Sequence, residues 1–169
     1  KNPEGRVSIW LHVSSGSLNE TDATRGLAHY LEHLAFNGSA NFPPGSVVPF
    51  FQSLGLAFGR DQNAFTSFDQ TTYQLTLPGA GVDALDKGIL FMSDVATRLS
   101  LATPEIDGER QIILEEKRAR SSARQRVQDQ VYERLAPEST LGRRLPIGAE
   151  ETIKAVGRDD FVDYYSRWY

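Results

Sequence analysis

Two histidines and a glutamate stand close together at His29, Glu32 and His33. If this segment is helical, the two histidines are four residues apart and lie one above the other, where they can share one cation. Glu32 lies beside them. Two imidazoles suit Zn²⁺, whose catalytic sites use three protein ligands and leave one position for water. The spacing therefore predicts a metal site whose third ligand comes from elsewhere in the chain.

The residues around this group predict an amphipathic helix. Leu27, Leu31 and Leu34 recur at helical spacing and project to the side opposite the histidines. One face of the helix is therefore expected to join the core and the other to form the site. The alternative is a pair of surface histidines on an amphipathic helix, with no metal between them.

Residues beside the helix indicate where it begins and ends. Asp22 or Thr24 is expected to cap its start, and Asn37-Gly38 supplies an end signal. Gly26 sits near the histidine face, where the lack of a side chain permits close approach of another element.

A second group of candidate residues lies on a long helix that is predicted to begin at Thr103-Pro104-Glu105 and to run to about Leu135. On its wheel Glu115 points away from the apolar face. Two other acids share that face with three apolar residues, and the set is Glu109, Ile113, Glu116, Val127 and Val131.

An unpaired buried carboxylate is costly, so each of the two acids needs a cation or a metal beside it. The wheel therefore selects Glu116 or Glu109 as the missing ligand. The alternative is a salt bridge to an arginine that is near in sequence, for which Arg110, Arg118 and Arg120 are available.

Composition narrows the class of protein. The 169 residues are about one domain's length, and 40% hydrophobic residues can build a sizeable core. A formal net charge of −4 argues against a nucleic-acid-binding surface. No segment has the roughly 20 apolar residues that span a membrane. Because the chain has no cysteine, only His, Asp and Glu can hold a metal.

The remaining patterns predict alternating strands and helices. Apolar and polar residues alternate over Arg6–Val13, as in a half-buried strand. His12 points away from the apolar residues of this strand, and a lone histidine in such a position is more often solvated or hydrogen-bonded than part of a site. Strands are also predicted at Leu56–Thr66, with a break, and at Thr71–Leu77, the two forming an antiparallel hairpin. Helices are predicted at Val47–Leu54, Val82–Leu101, Thr152–Val156 and Arg158–Trp168, the last with core aromatics.

A family resemblance rests on four segments. Arg25 to Gly38 resembles the N-terminal half of pitrilysin/insulinase-type zinc metallopeptidases, also called inverzincins, which include the mitochondrial processing peptidases. Asn63 to Ser67 resembles that family's strand beside the cleft, and Glu109 to Glu116 resembles its distal ligand helix. Leu145-Pro146-Ile147-Gly148 resembles a later turn. The similarity covers nearly the whole chain.

The resemblance implies roles for the site residues. His29, His33 and Glu116 would bind Zn²⁺, and Glu109 would be a carboxylate that orients a ligand. Glu32 would be the general base that takes a proton from the metal-activated water during peptide-bond hydrolysis.

The resemblance also implies the fold and the substrate-binding strand. The fold is expected to be α+β, a mainly antiparallel sheet with helices on one face, as in the mitochondrial processing peptidases. Asn63, Ala64, Phe65 and Thr66 would bind an extended peptide substrate as an added strand.

Partners follow from the same resemblance. Residues 1–169 are expected to be a single, incomplete N-terminal peptidase domain, paired with a related second half in the same chain or another subunit. Alone, the chain would be a weak peptidase or an inactive one, and it could form homo-oligomers through an unpaired sheet edge. A bacterial periplasmic or other extracytoplasmic location is expected. Two alternatives are a catalytically silent interaction domain of the same family and a structural zinc site with four protein ligands.

Overall fold

The computed structural model describes residues 5–57, 59–77, 81–135 and 137–169. Within these ranges the chain forms three strands and seven α-helices, together with short 3-10 helices at Ser17–Asn19 and Leu141–Arg143. No described helix combines the length and the apolar character needed to cross a membrane. In chain order the elements are β1 (Val7–Val13), α1 (Leu27–Leu34), α2 (Val47–Ser53), β2 (Gln62–Thr66), β3 (Thr71–Leu77), α3 (Val82–Thr97), α4 (Thr103–Arg120), α5 (Ala123–Leu135), α6 (Glu150–Ala155) and α7 (Arg158–Trp168).

The sheet is antiparallel in the order β1-β3-β2. Its register pairs Leu11 with Tyr73 and Tyr73 with Ala64, so these side chains lie on the same face. This face packs against the helical core, while Trp10 and Phe65, on the opposite face, are exposed. The predicted α+β architecture, with helices on one face of an antiparallel sheet, is confirmed.

The core contains buried side chains of the sheet and of helices α1, α2, α3, α4, α6 and α7. Tyr30 of α1 is fully buried and packs edge-on against Phe161 of α7, with ring centroids 4.9 Å apart. Phe161 and Tyr164 are buried, so the predicted aromatic core of α7 is confirmed for these two residues, whereas Trp168 is exposed.

The start of α1 differs from the prediction, because neither Asp22 nor Thr24 caps it. Gly26 occupies the N-cap position with φ of 96°. The carboxylate of Glu20 accepts hydrogen bonds from the backbone N–H of Gly26 at 2.9 Å and of Ala28 at 2.8 Å. Sequence patterns missed Glu20 because it is too far from the helix start to fit a local capping motif. At the other end, α1 stops at Leu34, before the predicted Asn37-Gly38 signal.

Burial raises the pKa of Glu20 to about 8, while its two backbone hydrogen bonds and Arg144 favour the charged form. The guanidinium of Arg144 also donates to Asp22 at 2.6 Å. Thr24 instead shares a hydroxyl hydrogen bond with Thr21. The two predicted caps therefore serve the loop before the helix.

The predicted single helix from Thr103 to Leu135 is wrong, because α4 ends at Arg120 and α5 begins at Ala123. Adjacent serines explain the break. The Ser121 hydroxyl donates to the Lys117 carbonyl, and the Ser122 hydroxyl accepts from the backbone N–H of Gln125. Such local side-chain bonds compete with continuous helix. Val127 and Val131 are consequently 62% and 43% exposed and do not continue the apolar face of α4.

Other boundaries also differ, by one or two residues at β1, α2 and α6 and by more at α3 and β2. Helix α3 ends at Thr97 rather than Leu101, because Arg98 leaves helical geometry with φ of −145°. Strand β2 begins only at Gln62, so Leu56 and Ala57 are not in a strand. The predicted strand residue Phe58 lies outside the described residues.

The close approach predicted at Gly26 is confirmed, and its partner is Gly148. A Cβ added to Gly26 would lie 2.9 Å from the Gly148 Cα, and one added to Gly148 would lie 2.4 Å from the Gly26 Cα. Gly148 has φ of 71°, a left-handed conformation that glycine adopts without strain. The turn that ends at Gly148 therefore sits directly on the start of α1.

Replacing Gly148 tests this contact. Gly148→Ala is expected to lower the free energy of unfolding by about 2–5 kcal/mol, through left-handed strain of about 1–2 kcal/mol and a backbone clash of about 1–3 kcal/mol. Gly45→Ala is the control, since Gly45 has φ of 75° and no heavy atom within 4 Å of an added Cβ. In Gly45→Ala, the free energy of unfolding is expected to fall only by the contribution of left-handed strain. Equal losses in urea unfolding would show that the contact contributes nothing.

Candidate metal centre

Three side chains from two helices meet at one point. His29 and His33 come from α1 and Glu116 from α4, and one ligand atom of each lies within 4.8 Å of the others. Glu116 Oε2 is 3.5 Å from His29 Nε2 and 3.4 Å from His33 Nε2. The imidazole rings are nearly perpendicular, with centroids 4.8 Å apart. Of the two acids that the sequence selected, Glu116 is the one that faces both imidazoles.

These three side chains fit a zinc ion. Two ligand atoms that are each about 2.1 Å from a tetrahedral ion lie about 3.4 Å apart, close to the separations measured from Glu116 Oε2. That oxygen is buried and accepts no hydrogen bond from the described residues. A buried carboxylate oxygen without a donor requires an explanation, and a cation between the imidazoles and the oxygen supplies one.

His33 is held by a carboxylate on the side away from Glu116. Its Nδ1 is 2.8 Å from Glu109 Oε1, and Asn37 Nδ2 donates to Glu109 Oε2 at 2.7 Å. Burial disfavours the charged imidazole, but the hydrogen bond and charge of Glu109, together with the charges of Glu32 and Glu116, outweigh it and raise the pKa of His33. The pKa of Glu109 is lowered, because its bonds to His33 and Asn37 outweigh burial. A proton on Nδ1 leaves Nε2 free to bind a metal.

His29 has a different environment. Its side chain is 8% exposed, so the alternative of two surface histidines is wrong for this residue. Burial lowers its pKa to about 3, with further repulsion from His33 and Arg120. The ring is therefore neutral near pH 7, the state in which imidazole binds metals.

Glu32 lies next to the histidines and is oriented from the sheet. The Thr66 hydroxyl, at the end of β2, donates to Glu32 Oε2 at 2.6 Å. Burial raises the pKa of Glu32, and the bond from Thr66 opposes that shift. A glutamate with a raised pKa is a better proton acceptor than an exposed one.

The strand predicted to bind substrate lies at the sheet edge. Asn63, Ala64, Phe65 and Thr66 belong to β2, which pairs with β3 and with no other described strand. Asn63 and Phe65 are exposed. The structure thus assigns Thr66 a contact that sequence reasoning missed, because the bond to Glu32 joins residues 34 positions apart.

The predicted alternative of an arginine salt bridge is realised at the other oxygen of Glu116. Arg120, one turn along α4, pairs with Glu116 Oε1 and leaves Oε2 facing the histidines. His12 is exposed on β1, where Nδ1 lies 3.2 Å from the Thr72 hydroxyl, and takes no part in the site.

Comparison with known proteins identifies a family. The model of the insulinase family, peptidase family M16, matches residues 1–146. Probable zinc protease PqqL of Escherichia coli strain K12 is 36% identical over 168 residues, which are 99% of this chain and 18% of that protein. This chain therefore spans about a fifth of that relative.

Solved structures agree. The crystal structure of the first half of the periplasmic protease PqqL from Escherichia coli matches 99% of this chain, and 36% of its own, with a TM-score of 0.94 and 36% identity. A mutant of the ferredoxin protease FusC in complex with Arabidopsis ferredoxin matches all of this chain and 19% of its own, with a TM-score of 0.91 and 32% identity.

Removing the charge of Glu109 tests whether this carboxylate raises the pKa of His33 and strengthens zinc binding. In Glu109→Gln, the hydrogen bond and the charge that most oppose the effect of burial on His33 are lost, while the charges of Glu32 and Glu116 remain, so the pKa of His33 in the metal-free protein is expected to fall. Zinc affinity is expected to fall by about 10–100-fold, as is typical when a partner of a metal ligand is lost. NMR titration of the imidazole and chelator competition measure the two effects. Glu115→Gln, an exposed acid on the same helix, should change neither. An unchanged His33 titration in Glu109→Gln would contradict the assignment.

Proposed function

Because this chain belongs to peptidase family M16, the insulinase family, we propose that it carries the zinc centre of an endopeptidase. His29, His33 and Glu116 are the zinc ligands and Glu32 is the general base. The observation that carries the proposal is Glu116 Oε2, which is buried, lacks a hydrogen bond from the described residues and faces both imidazole nitrogens.

Each residue of the site has a distinct part in hydrolysis. Bound Zn²⁺ would polarise the scissile carbonyl and make water a stronger nucleophile. Glu32 takes the proton of the attacking water and later delivers it to the leaving amine. Thr66 holds one oxygen of Glu32, so the other is free to face the water. Glu109 fixes the ring of His33 and is therefore a positioning residue.

The outer edge of β2 is the proposed substrate-binding strand. An edge strand presents unpaired backbone N–H and C=O groups, to which an extended peptide can add as a further strand. Because β2 ends at Thr66, and Thr66 contacts Glu32, a peptide along Asn63 to Thr66 would run past the general base. The substrate is therefore an extended or unstructured peptide.

The alternative functions differ in what they require of Glu32. A catalytically silent interaction domain needs neither a general base nor a hydroxyl that orients it, yet Glu32 and Thr66 are both in place. A structural zinc site uses four protein ligands. In the part of the chain that the structure describes, the candidate cluster contains three.

A second half of related fold is part of the proposal. This chain matches 18% of the Escherichia coli relative, and the structure that it resembles is that of the relative's first half, of which it matches 36%. We propose that residues 1–169 form an N-terminal peptidase domain that encloses substrate together with a second half, in the same chain or in another subunit. A periplasmic location is proposed from the description of the same relative.

Two substitutions separate the general base from the ligands. Glu32→Gln is expected to retain zinc, because both imidazoles stay in place, and to lower peptide turnover by about 10²–10⁴-fold, because the proton acceptor is lost. His33→Ala is the control that should lose zinc. Bound metal after dialysis and cleavage of an unstructured peptide are the measurements. Loss of zinc in Glu32→Gln would make Glu32 a ligand, and unchanged turnover would reject it as the base.

Comparison of the isolated chain with the full protein tests whether the second half is needed for peptide cleavage. The isolated 169 residues are expected to bind zinc but to cleave peptide at least about a hundredfold more slowly, the typical cost of one missing oxyanion donor. Positioning of substrate would also be lost. Sizing of the isolated chain would show whether its open sheet edge supports homo-oligomers. Equal turnover from a monomeric chain would show that the second half is dispensable.

A further inference from the structure

A cavity of about 250 Å³ opens beside the metal centre. It lies between the end of β2, the last turn of α4, the helix α5 and the turn at residues 145–147. Two of its lining residues also contact the proposed site, since Thr66 bonds to the general base Glu32 and Arg120 pairs with the zinc ligand Glu116. The cavity is smaller than the roughly 300–1,000 Å³ of a small-molecule site. Its size and place suit a single side chain of a bound peptide.

The wall of the cavity carries more positive than negative charge. Lys117, Arg120 and Arg126 line it, together with the acid Asp129. Lys117 Nζ donates to the neutral carbonyl of Gly148 at 2.6 Å. Neither Lys117 nor Arg126 forms a close ion pair with a described acid, although Glu150 is near enough to interact with the charge of Lys117. Arg126 is therefore the cation of the wall that is most available to a ligand.

Hydrogen bonds hold the two charged side chains of α5 that line the cavity, Arg126 and Asp129. Arg126 Nη1 donates to the carbonyl of Ser121 at 2.9 Å, which holds the guanidinium at the break between α4 and α5. Asp129 Oδ1 accepts from Gln125 Nε2 at 2.8 Å. The acid is thus bonded to an amide and does not neutralise Arg126 through a described contact.

One side of the cavity is apolar. Phe68, just after β2, packs edge-on against Tyr132 of α5 with ring centroids 5.6 Å apart. Both rings line the cavity, as do Leu145, Pro146 and Ile147. Such a wall can cover methylene groups while the cations bind a charged end.

We propose that this cavity selects a glutamate side chain of the substrate, at a position near the cleaved bond. The glutamate methylenes would pack against the aromatic wall and its carboxylate would face Lys117 and Arg126. This inference rests on the proposed endopeptidase function and extends it by naming the class of substrate, peptides with an acidic residue beside the cleavage site.

Binding is the first test, because it does not depend on turnover. The probes are labelled copies of one unstructured peptide in which each position in turn is Glu, Gln or Lys. Fluorescence anisotropy with the zinc-loaded full protein carrying Glu32→Gln is expected to show, at one position, about tenfold tighter binding of Glu than of Gln, the scale of one or two partly screened ion pairs. The Lys peptide should bind more weakly still, and added salt should reduce the preference.

A matched pair of substitutions in the same protein locates the effect. Arg126→Gln is expected to reduce the tenfold preference for Glu to about threefold, because Lys117 remains. Arg124→Gln, an exposed arginine on the same helix that does not line the cavity, is expected to leave it intact. Equal binding of Glu and Gln peptides at every position would overturn the inference. A loss of preference in Arg124→Gln as large as that in Arg126→Gln would overturn it too, since general surface charge would then be responsible.

Cleavage by the protein without Glu32→Gln separates this inference from the proposed function. A preference for Glu in binding, with no cleavage of any peptide, would support the cavity assignment and reject the endopeptidase. Cleavage that proceeds equally well with Glu and Gln at every position, with equal binding, would support the endopeptidase and reject the selection of glutamate by this cavity.

Discussion

The burial of α1 is the constraint on which the site depends. Apart from His33, which is partly exposed, its residues from Leu27 to Leu34 are buried, the polar ones included. A buried polar group is costly unless it is bonded. Two polar side chains of α1 are bonded to other elements, whereas Nδ1 of His29 has no hydrogen-bond partner among the described residues. Glu32 is bonded by Thr66 of β2, and His33 by Glu109 of α4. Burial of one short helix thus fixes the strand and the helix that surround the candidate metal centre.

The position of α1 along its axis is set at its N-terminus. Glu20 accepts from two backbone N–H groups there, which satisfies donors that have no partner within the helix. Gly26 meets Gly148 in backbone contact, and Lys117 of α4 donates to the Gly148 carbonyl. The turn at residues 145–148 therefore braces both helices that supply the proposed ligands, and it also lines the cavity beside them.

Burial and charge tune the two histidines in opposite directions. His29 is held neutral by burial and by repulsion from His33 and Arg120, whereas the carboxylate of Glu109 favours a proton on His33. The two oxygens of Glu116 are similarly divided, one paired with Arg120 and the other facing the imidazoles. Because Arg120 and Thr66 both line the basic cavity, the residues that contact Glu116 and Glu32 also belong to the proposed binding site for a glutamate side chain. Charge placed at the cavity would therefore be felt by the proposed zinc ligand.

The sequence by itself determined the secondary-structure features that depend only on residues close together in the chain. The spacing of His29, Glu32 and His33 and the alternation of the strands predicted α1, its two faces and the antiparallel sheet, because helix and strand periods are set by the backbone. The helical wheel narrowed the proposed third ligand only to Glu116 or Glu109 and the family resemblance favoured Glu116, and the tertiary structure decided that Glu116 is the one that faces both imidazoles. It also decided the role of Glu20, the bond from Thr66 to Glu32 and the break at Ser121. These depend on contacts between residues far apart in the chain, or on competition between side-chain and backbone hydrogen bonds, which no local period records.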